Sequence, residues 1–274
     1  MMTTDIALII DPAYLEICEK FVKTPTLLDD AFARAWYKLI HRDMGPRNRL
    51  LGIDVPTETL VWQDPIPTLD HELVSEANIK ELKSKVLETG QNISALVSSA
   101  WGSASTFRKT DLRGGANGAR IQLKPMVDWE VNNPNQLRSV LTSLEAVQQS
   151  FNDSEAGNKR ISMADLIVLS GCAAIEKAAA DAGVDVIVPF VPGRMDALKE
   201  QTDEHNISSL EPHADGFRNF SKGNYAVETE RMLIDRAHLL DLSAPEMTAL
   251  VGGLRVLDTN FDGSKHGVFT NKPG

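Results

Sequence analysis

The stretch around Leu96–Arg108 limits most narrowly how this chain folds. Its apolar residues recur three or four positions apart, at Ile93, Leu96, Val97, Ala100, Trp101 and Ala104. Because an α-helix has about 3.6 residues per turn, this spacing places them along one side of a helix. Ser98 and Gly102 lie one turn apart on the same helix. The sequence therefore predicts an amphipathic helix packed into a core.

Similar apolar stripes recur along most of the chain, and each predicts a further helix. They begin near Leu15, Leu28, Ile79, Leu137 and Ala164 and after Pro245. Ser162–Asp165 has the spacing of an Asp variant of the capping box, and Ser243–Glu246 has that of a full one. The only plausible strand is the β-branched run in Val184–Ala197. The sequence predicts an all-α, mostly helical fold with at most a minor β element.

Charge and cysteine content exclude several classes of function. The net charge of −10 is not offset by a basic stripe, so nucleic acid and membranes are not expected partners. Cys18 and Cys172 lie outside any Cys/His cluster, which gives a metal site no support. The N-terminus lacks the long apolar run of a secretory signal, so we expect a cytoplasmic protein. The Gly-rich run Arg113–Arg120 follows a helix rather than a strand, which favours a structured turn over a phosphate loop.

Several longer motifs point to one family. They are TTDIAL around Asp5, AWYKLIHRDMGP, WQDP, RGGANGAR, WEVNNP, ADLIVLSGCAAIEKAA and GSKHGVFT. Together they resemble the bacterial catalase-peroxidases of the haem peroxidase superfamily. The resemblance implies a haem-peroxidase-like helical bundle. It assigns residues 1–51 to the end of the N-terminal haem domain and 52–274 to a haemless C-terminal peroxidase-like domain, truncated at its end.

The distal helix of haem peroxidases reads R-x-x-[WF]-H-S-A-G-T, and the first helix described above resembles it. Ser98 takes the place of the arginine, Trp101 is retained, and Gly102 takes the place of the histidine. In the family that histidine moves a proton between the oxygens of hydrogen peroxide, and Gly102 has no side chain to do so. The arginine stabilises developing negative charge, for which a neutral serine is a weak substitute.

The second diagnostic motif is the peroxidase sequence L-[IVA]-[AG]-G-H-[ST], whose histidine binds the haem iron. This chain has Val251-Gly252-Gly253-Leu254-Arg255 there, and a leucine offers no lone pair to a metal. The resemblance therefore implies that this chain binds no haem and no metal, and that its catalytic set is incomplete.

Two further residues match family positions outside these helices. Asp5 matches an aspartate that accepts a hydrogen bond from the iron-binding histidine, and Arg42 matches a mobile arginine linked to catalase activity. Taken without the resemblance, Asp5 is a solvated acid near a terminus. Arg42 is then a cation near the C-terminus of a helix.

By resemblance, the parent protein decomposes hydrogen peroxide and oxidises small donors with haem b. We expect this chain to be an inactive scaffold whose partner is a peroxidase haem domain, within a homodimer. One alternative is a haem-binding peroxidase with a different axial ligand, for which His266 is the nearest candidate. Another is an unrelated helical interaction module.

Overall fold

The chain forms two compact units, Met1–Val55 and Pro56–Gly274. The computed structural model describes residues 2–41, 44, 46–154, 158–223 and 225–269, with Asn48 described by its backbone alone. These residues contain ten α-helices and one antiparallel pair of two-residue strands. The prediction of a mostly helical fold with a minor β element is confirmed.

The first unit consists of three helices, α1 (Thr3–Ile10), α2 (Pro12–Lys23) and α3 (Pro25–His41). Asp11 caps α2, since its Oδ1 accepts a hydrogen bond from the backbone amide of Ala13 at 2.9 Å. None of the unit's described hydrophobic residues is buried, and Phe32 and Trp36 expose 63% and 55% of their surface. The apolar stripe of α3 therefore has no cover within this unit.

The second unit carries the hydrophobic core. Its helices are α4 (Glu76–Glu88), α5 (Ile93–Ala104), α6 (Pro134–Ser154), α7 (Met163–Asp181), α8 (Glu204–Ser208), α9 (Thr229–Leu239) and α10 (Ala244–Val256). The predicted stripes of α4, α5 and α6 pack around α7, which is buried over most of its length. Gly171 lets α5 and α7 cross closely, because a Cβ there would lie 2.5 Å from the Cβ of Ala100.

The N-terminus of α7 is capped by residues both near and distant in sequence. Ser162 Oγ accepts from the amide of Asp165 at 3.0 Å, as a capping motif requires. Asp165 does not complete the predicted capping box. Its carboxylate accepts instead from the amide of Gly193 at 2.7 Å and from Arg194 Nη1 at 2.9 Å. Asp196 accepts from the amides of Met163 and Ala164, each at 2.8 Å. The segment that carries Asp196, which follows α7 in sequence, is therefore fixed to the start of that helix.

The strand predicted in Val184–Ala197 is absent from the structure. The strands are β1 (Ala214–Asp215) and β2 (Phe220–Ser221), paired antiparallel. The pairing found for Val184–Ala197 among the described residues is an isolated parallel bridge between Asp196 and Gly118 at its end, and Ile187 is 88% exposed. β-branched residues favour a strand where a neighbouring strand pairs with them, and the β-branched part of this run, Val184–Val191, has no such partner among the described residues.

Candidate functional site

The site lies where the segment Ala214–Ser221, here called the bridging hairpin, contacts both α5 and α10. On the α5 side, Trp101 Nε1 donates to Asp215 Oδ2 at 3.1 Å, and the rings of Trp101 and Phe217 lie 5.0 Å apart. On the α10 side, Arg255 Nη1 donates to the carbonyl oxygen of Phe217 at 2.5 Å and Nη2 to that of Gly216 at 2.6 Å. The hairpin thus connects the two helices that carry the family positions.

Arg218 projects from this hairpin against Gly102. Its Nε donates to Asp215 Oδ2 at 2.7 Å, and its Nη1 donates to Val131 O and Asn132 Oδ1, each at 2.9 Å. Arg218 and Asp215 are both 4% exposed. A Cβ on Gly102 would lie 3.3 Å from Arg218 Nη1 and 3.1 Å from Asn132 Oδ1. The absence of a side chain at position 102 therefore leaves room for the guanidinium.

Opposing effects act on the ionised groups of this site. Burial raises the pKa of Asp215. The opposing effects together are larger and bring the pKa below its ordinary value: these are the charge of Arg218, hydrogen bonds from Arg218 and Trp101, and the charge of Arg236. Burial lowers the pKa of Arg218, and Asp215 opposes that effect. A guanidinium group keeps its proton in proteins, so the site holds a buried ion pair.

The residues predicted from sequence fall in several places. Ser98 is half-buried on α5, one turn before Gly102. Trp101, which directly precedes Gly102, is also half-buried. Leu254 is 4% exposed on α10 and belongs to the hydrophobic core. Asp5 lies in the first unit, where its Oδ2 accepts from the backbone amide of Met2 at 2.8 Å. Arg42 lies outside the described residues.

His266 is exposed on the C-terminal tail. Its backbone oxygen accepts from the side-chain amides of Asn219 and Asn260. Together with Val251 and Arg255 it lines an open groove of about 480 Å³ beside α10. Its hydrogen bond with Asn219 of the bridging hairpin is made by the backbone oxygen and not by the imidazole.

Side chains of the bridging hairpin occupy the place at which the resemblance implies a haem in the peroxidases. Phe217 is fully buried and contacts both helices, through Trp101 and Arg255, and the nearly buried Arg218 lies against Gly102. Gly102 and Leu254 offer no atom that binds iron. The residues at this place therefore do not fit a haem.

Sequence reasoning missed the residues that form this site. It singled out no residue of Glu211–Arg218, whereas the structure pairs Asp215 with Arg218 and joins them to Trp101. One signal was available: opposite charges three residues apart on either side of Gly216-Phe217. The contact between Arg218 and Gly102 spans more than a hundred residues, and no local pattern reports it.

Comparison with known proteins supports the resemblance. The family model described as peroxidase matches residues 30–270. The whole chain is 60% identical to part of a catalase-peroxidase from Syntrophotalea carbinolica and of another from Geobacter sp., covering 37% of each. It is 59% identical to part of catalase-peroxidase 2 from Cupriavidus pinatubonensis, covering 38% of that protein.

The fold and these matches define a haem-peroxidase-like helical protein, and the chain belongs to the peroxidase family. Within that family its similarity is to the catalase-peroxidases, along its entire length. The chain spans less than two fifths of the length of the curated relatives it matches. Among the described residues, no helix is long and apolar enough to cross a membrane.

Proposed function

We propose that this chain is part of a catalase-peroxidase and serves as a haemless scaffold for the haem domain of that protein. Residues 1–51 then form the end of the haem domain, and residues 52–274 form the second, peroxidase-like domain. The parent protein decomposes hydrogen peroxide and oxidises small donors with haem b. The observation that carries the proposal is the packing of Arg218 against Gly102, which puts a buried ion pair where a haem peroxidase needs open space.

The exposed stripe of α3 supports a haem-domain partner. Phe32, Trp36 and Leu39 are each more than half exposed, and Trp36 stacks on Phe32 with ring centroids 6.1 Å apart. Large contiguous apolar surfaces on a folded protein mark interaction sites. The missing part of the haem domain would cover this stripe, and we place the assembled protein in the cytoplasm as a homodimer.

The alternatives receive less support. A haem-binding peroxidase that uses His266 would need that exposed imidazole to face a porphyrin-sized space, whereas His266 lines an open groove between α9, α10 and the bridging hairpin. Membership of the peroxidase family argues against an unrelated helical interaction module.

A haem titration of the purified chain tests the first part of the proposal. We expect no saturable Soret shift and no peroxide turnover, because neither Gly102 nor Leu254 can serve the iron or the peroxide. The haem domain of the Geobacter relative, prepared in the same way, is the positive control. Stoichiometric binding with turnover would overturn the proposal.

Reconstitution tests the partner. A haem domain that ends where this chain begins is mixed with increasing concentrations of the chain, and catalase turnover is measured at each concentration. We expect saturable recovery of turnover, weakened strongly by Trp36→Asp on the exposed stripe. The matched control is Lys20→Ala, which removes an exposed ion pair with Glu16 on α2 and leaves the stripe intact. Equal recovery with both variants, or no recovery at all, would contradict the assignment.

A further inference from the structure

We infer that the guanidinium of Arg218 fills the space next to Gly102 on one side of the former cofactor site, and that its removal would leave a site for a small planar cation of the guanidinium class. This inference rests on the proposed function for one point only, the assignment of positions 102 and 254 to the two sides of the former cofactor site. Everything else in it concerns contacts within the second unit.

The guanidinium gathers partners from separate parts of that unit. Nε binds Asp215 on the bridging hairpin, and Nη1 binds Val131 O and Asn132 Oδ1 on the loop before α6. Asp215 is also bound by Trp101 of α5. One buried planar cation therefore links the hairpin, the pre-α6 loop and, through a single carboxylate, the helix at position 102.

The second side of the former cofactor site is joined through the same hairpin. Arg255 of α10 donates to the carbonyl oxygens of Gly216 and Phe217, directly before Arg218 in sequence. The backbone oxygen of Arg218 accepts from the amide of Phe261 at 2.8 Å, which also fixes the segment after α10. The hairpin that carries Arg218 is therefore bound to α10 through Arg255 and to α5 through Trp101.

The contacts are specific for a planar fork. Nε and Nη1 point in different directions to a carboxylate and to two oxygens of another segment, a pattern that guanidinium geometry satisfies and a single ammonium does not. Deleting the side chain leaves Asp215 buried without its main countercharge and leaves Val131 O and Asn132 Oδ1 without this donor. The vacated space then has both the shape and the charge to bind guanidinium from solution.

Arg218→Ala in the full chain tests the inference by thermal unfolding. We expect the melting midpoint to fall by on the order of 10 °C, as for loss of one partner of a buried ion pair in a domain of this size. Millimolar guanidinium chloride should then raise the midpoint of the variant, relative to sodium chloride at equal ionic strength, because a ligand of the folded state stabilises it. The same addition should not raise the midpoint of the unaltered chain.

Arg138→Ala is the matched control, since Arg138 forms an ion pair with Asp128 in which both side chains are more than two fifths exposed. We expect a small shift of the midpoint and no response to guanidinium. If Arg218→Ala folds only when guanidinium is present during refolding, the inference is supported by that dependence. Arg218→Lys should keep a lowered midpoint, because an ammonium cannot reach all three oxygens.

The inference is overturned if Arg218→Ala melts with the unaltered chain, if guanidinium stabilises Arg138→Ala equally, or if Arg218→Lys restores the midpoint in full. It is also overturned if Arg218→Ala fails to fold with and without guanidinium while Arg218→Met folds with an unchanged midpoint. None of these results changes the haem titration of the unaltered chain. A failure of this inference is therefore distinguishable from a failure of the proposed function.

Discussion

Asp215 shows how far a single residue can depend on its neighbours. Its carboxylate is faced by Arg218 from its own hairpin, Trp101 from α5, Arg236 from α9 and Arg255 from α10. Burial alone would raise its pKa, yet the combined charges and hydrogen bonds lower it. The residue is thus more acidic in the folded chain than in the unfolded chain.

This shift predicts an acid-sensitive contribution to stability. Since the folded pKa lies below the unfolded value of about 3.9, the contribution is complete above that value and is lost as the pH falls through the folded pKa. We expect Asp215→Asn to lower the free energy of unfolding at neutral pH and to reduce its decline in acid. Urea unfolding from neutral pH to about pH 3 measures both effects.

The control for Asp215 is Asp185→Asn, at an exposed position on the extended run after α7. It should leave both the stability and its pH dependence nearly unchanged, as expected of a surface substitution. If the free energy of unfolding falls equally steeply with decreasing pH in Asp215→Asn and in the unaltered chain, the assigned role of the buried ion pair is contradicted.

Glycine has two different uses at the scale of helices. Gly171 allows the close crossing of α5 and α7, where a Cβ would lie 2.5 Å from Ala100. Gly252 lies in α10, where a Cβ would meet nothing within 4 Å. We expect Gly171→Ala to cost about 1–3 kcal/mol through overpacking, in spite of better helix propensity. We expect Gly252→Ala to gain about 1 kcal/mol from propensity alone.

Chemical unfolding of the two glycine variants provides the measurement, because each introduces the same methyl group into a helix. Opposite signs support the crossing contact. Equal stabilisation would mean that α5 and α7 separate readily, and that the packing of Gly171 against Ala100 is not limiting.

Capping also acts at the scale of elements. Asp196 accepts two amide hydrogen bonds from the first turn of α7, although it follows the end of that helix by fifteen residues. Asp196→Ala should therefore cost about 1–2 kcal/mol, the value of a good N-terminal cap. Asp203→Ala, which removes the cap of the five-residue helix α8, should cost less. If urea unfolding shows similar losses of unfolding free energy for the two variants, the cap on the core helix α7 stabilises the chain no more than the cap on α8.

Apolar stripes predicted seven of the ten described helices and missed α1, α8 and α9, which carry no stripe that the sequence analysis identified. The Leu96 and Leu137 stripes lie in α5 and α6 as expected, and Ser162 and Glu246 make the predicted cap contacts. The strand in Val184–Ala197 was wrong, because pairing depends on a partner that local composition does not reveal. Of the site, the sequence named Trp101 as a retained family residue and Ser98, Gly102 and Leu254 as positions where family residues are absent. The sequence did not predict that Arg218 fills the space next to Gly102, because that contact depends on packing between segments distant in sequence.

At the scale of the whole molecule, burial is divided unequally between the two units. Every buried hydrophobic residue of the described chain lies between Val74 and Leu254, in the second unit. The first unit has helices of 8, 12 and 17 residues whose hydrophobic side chains are half-buried or exposed. Helices of this length are marginal in water without tertiary packing.

This division predicts different behaviour when the chain is cut at Val55. Residues 56–274 should unfold cooperatively, since their core is their own, whereas residues 1–55 should show weak helicity that rises with concentration as exposed stripes associate. Circular dichroism with sedimentation of each piece measures this. Phe32→Asp should abolish the association of the short piece, and Lys20→Ala should not. A short piece that melts cooperatively as a monomer would contradict the view that its apolar surface awaits a partner domain.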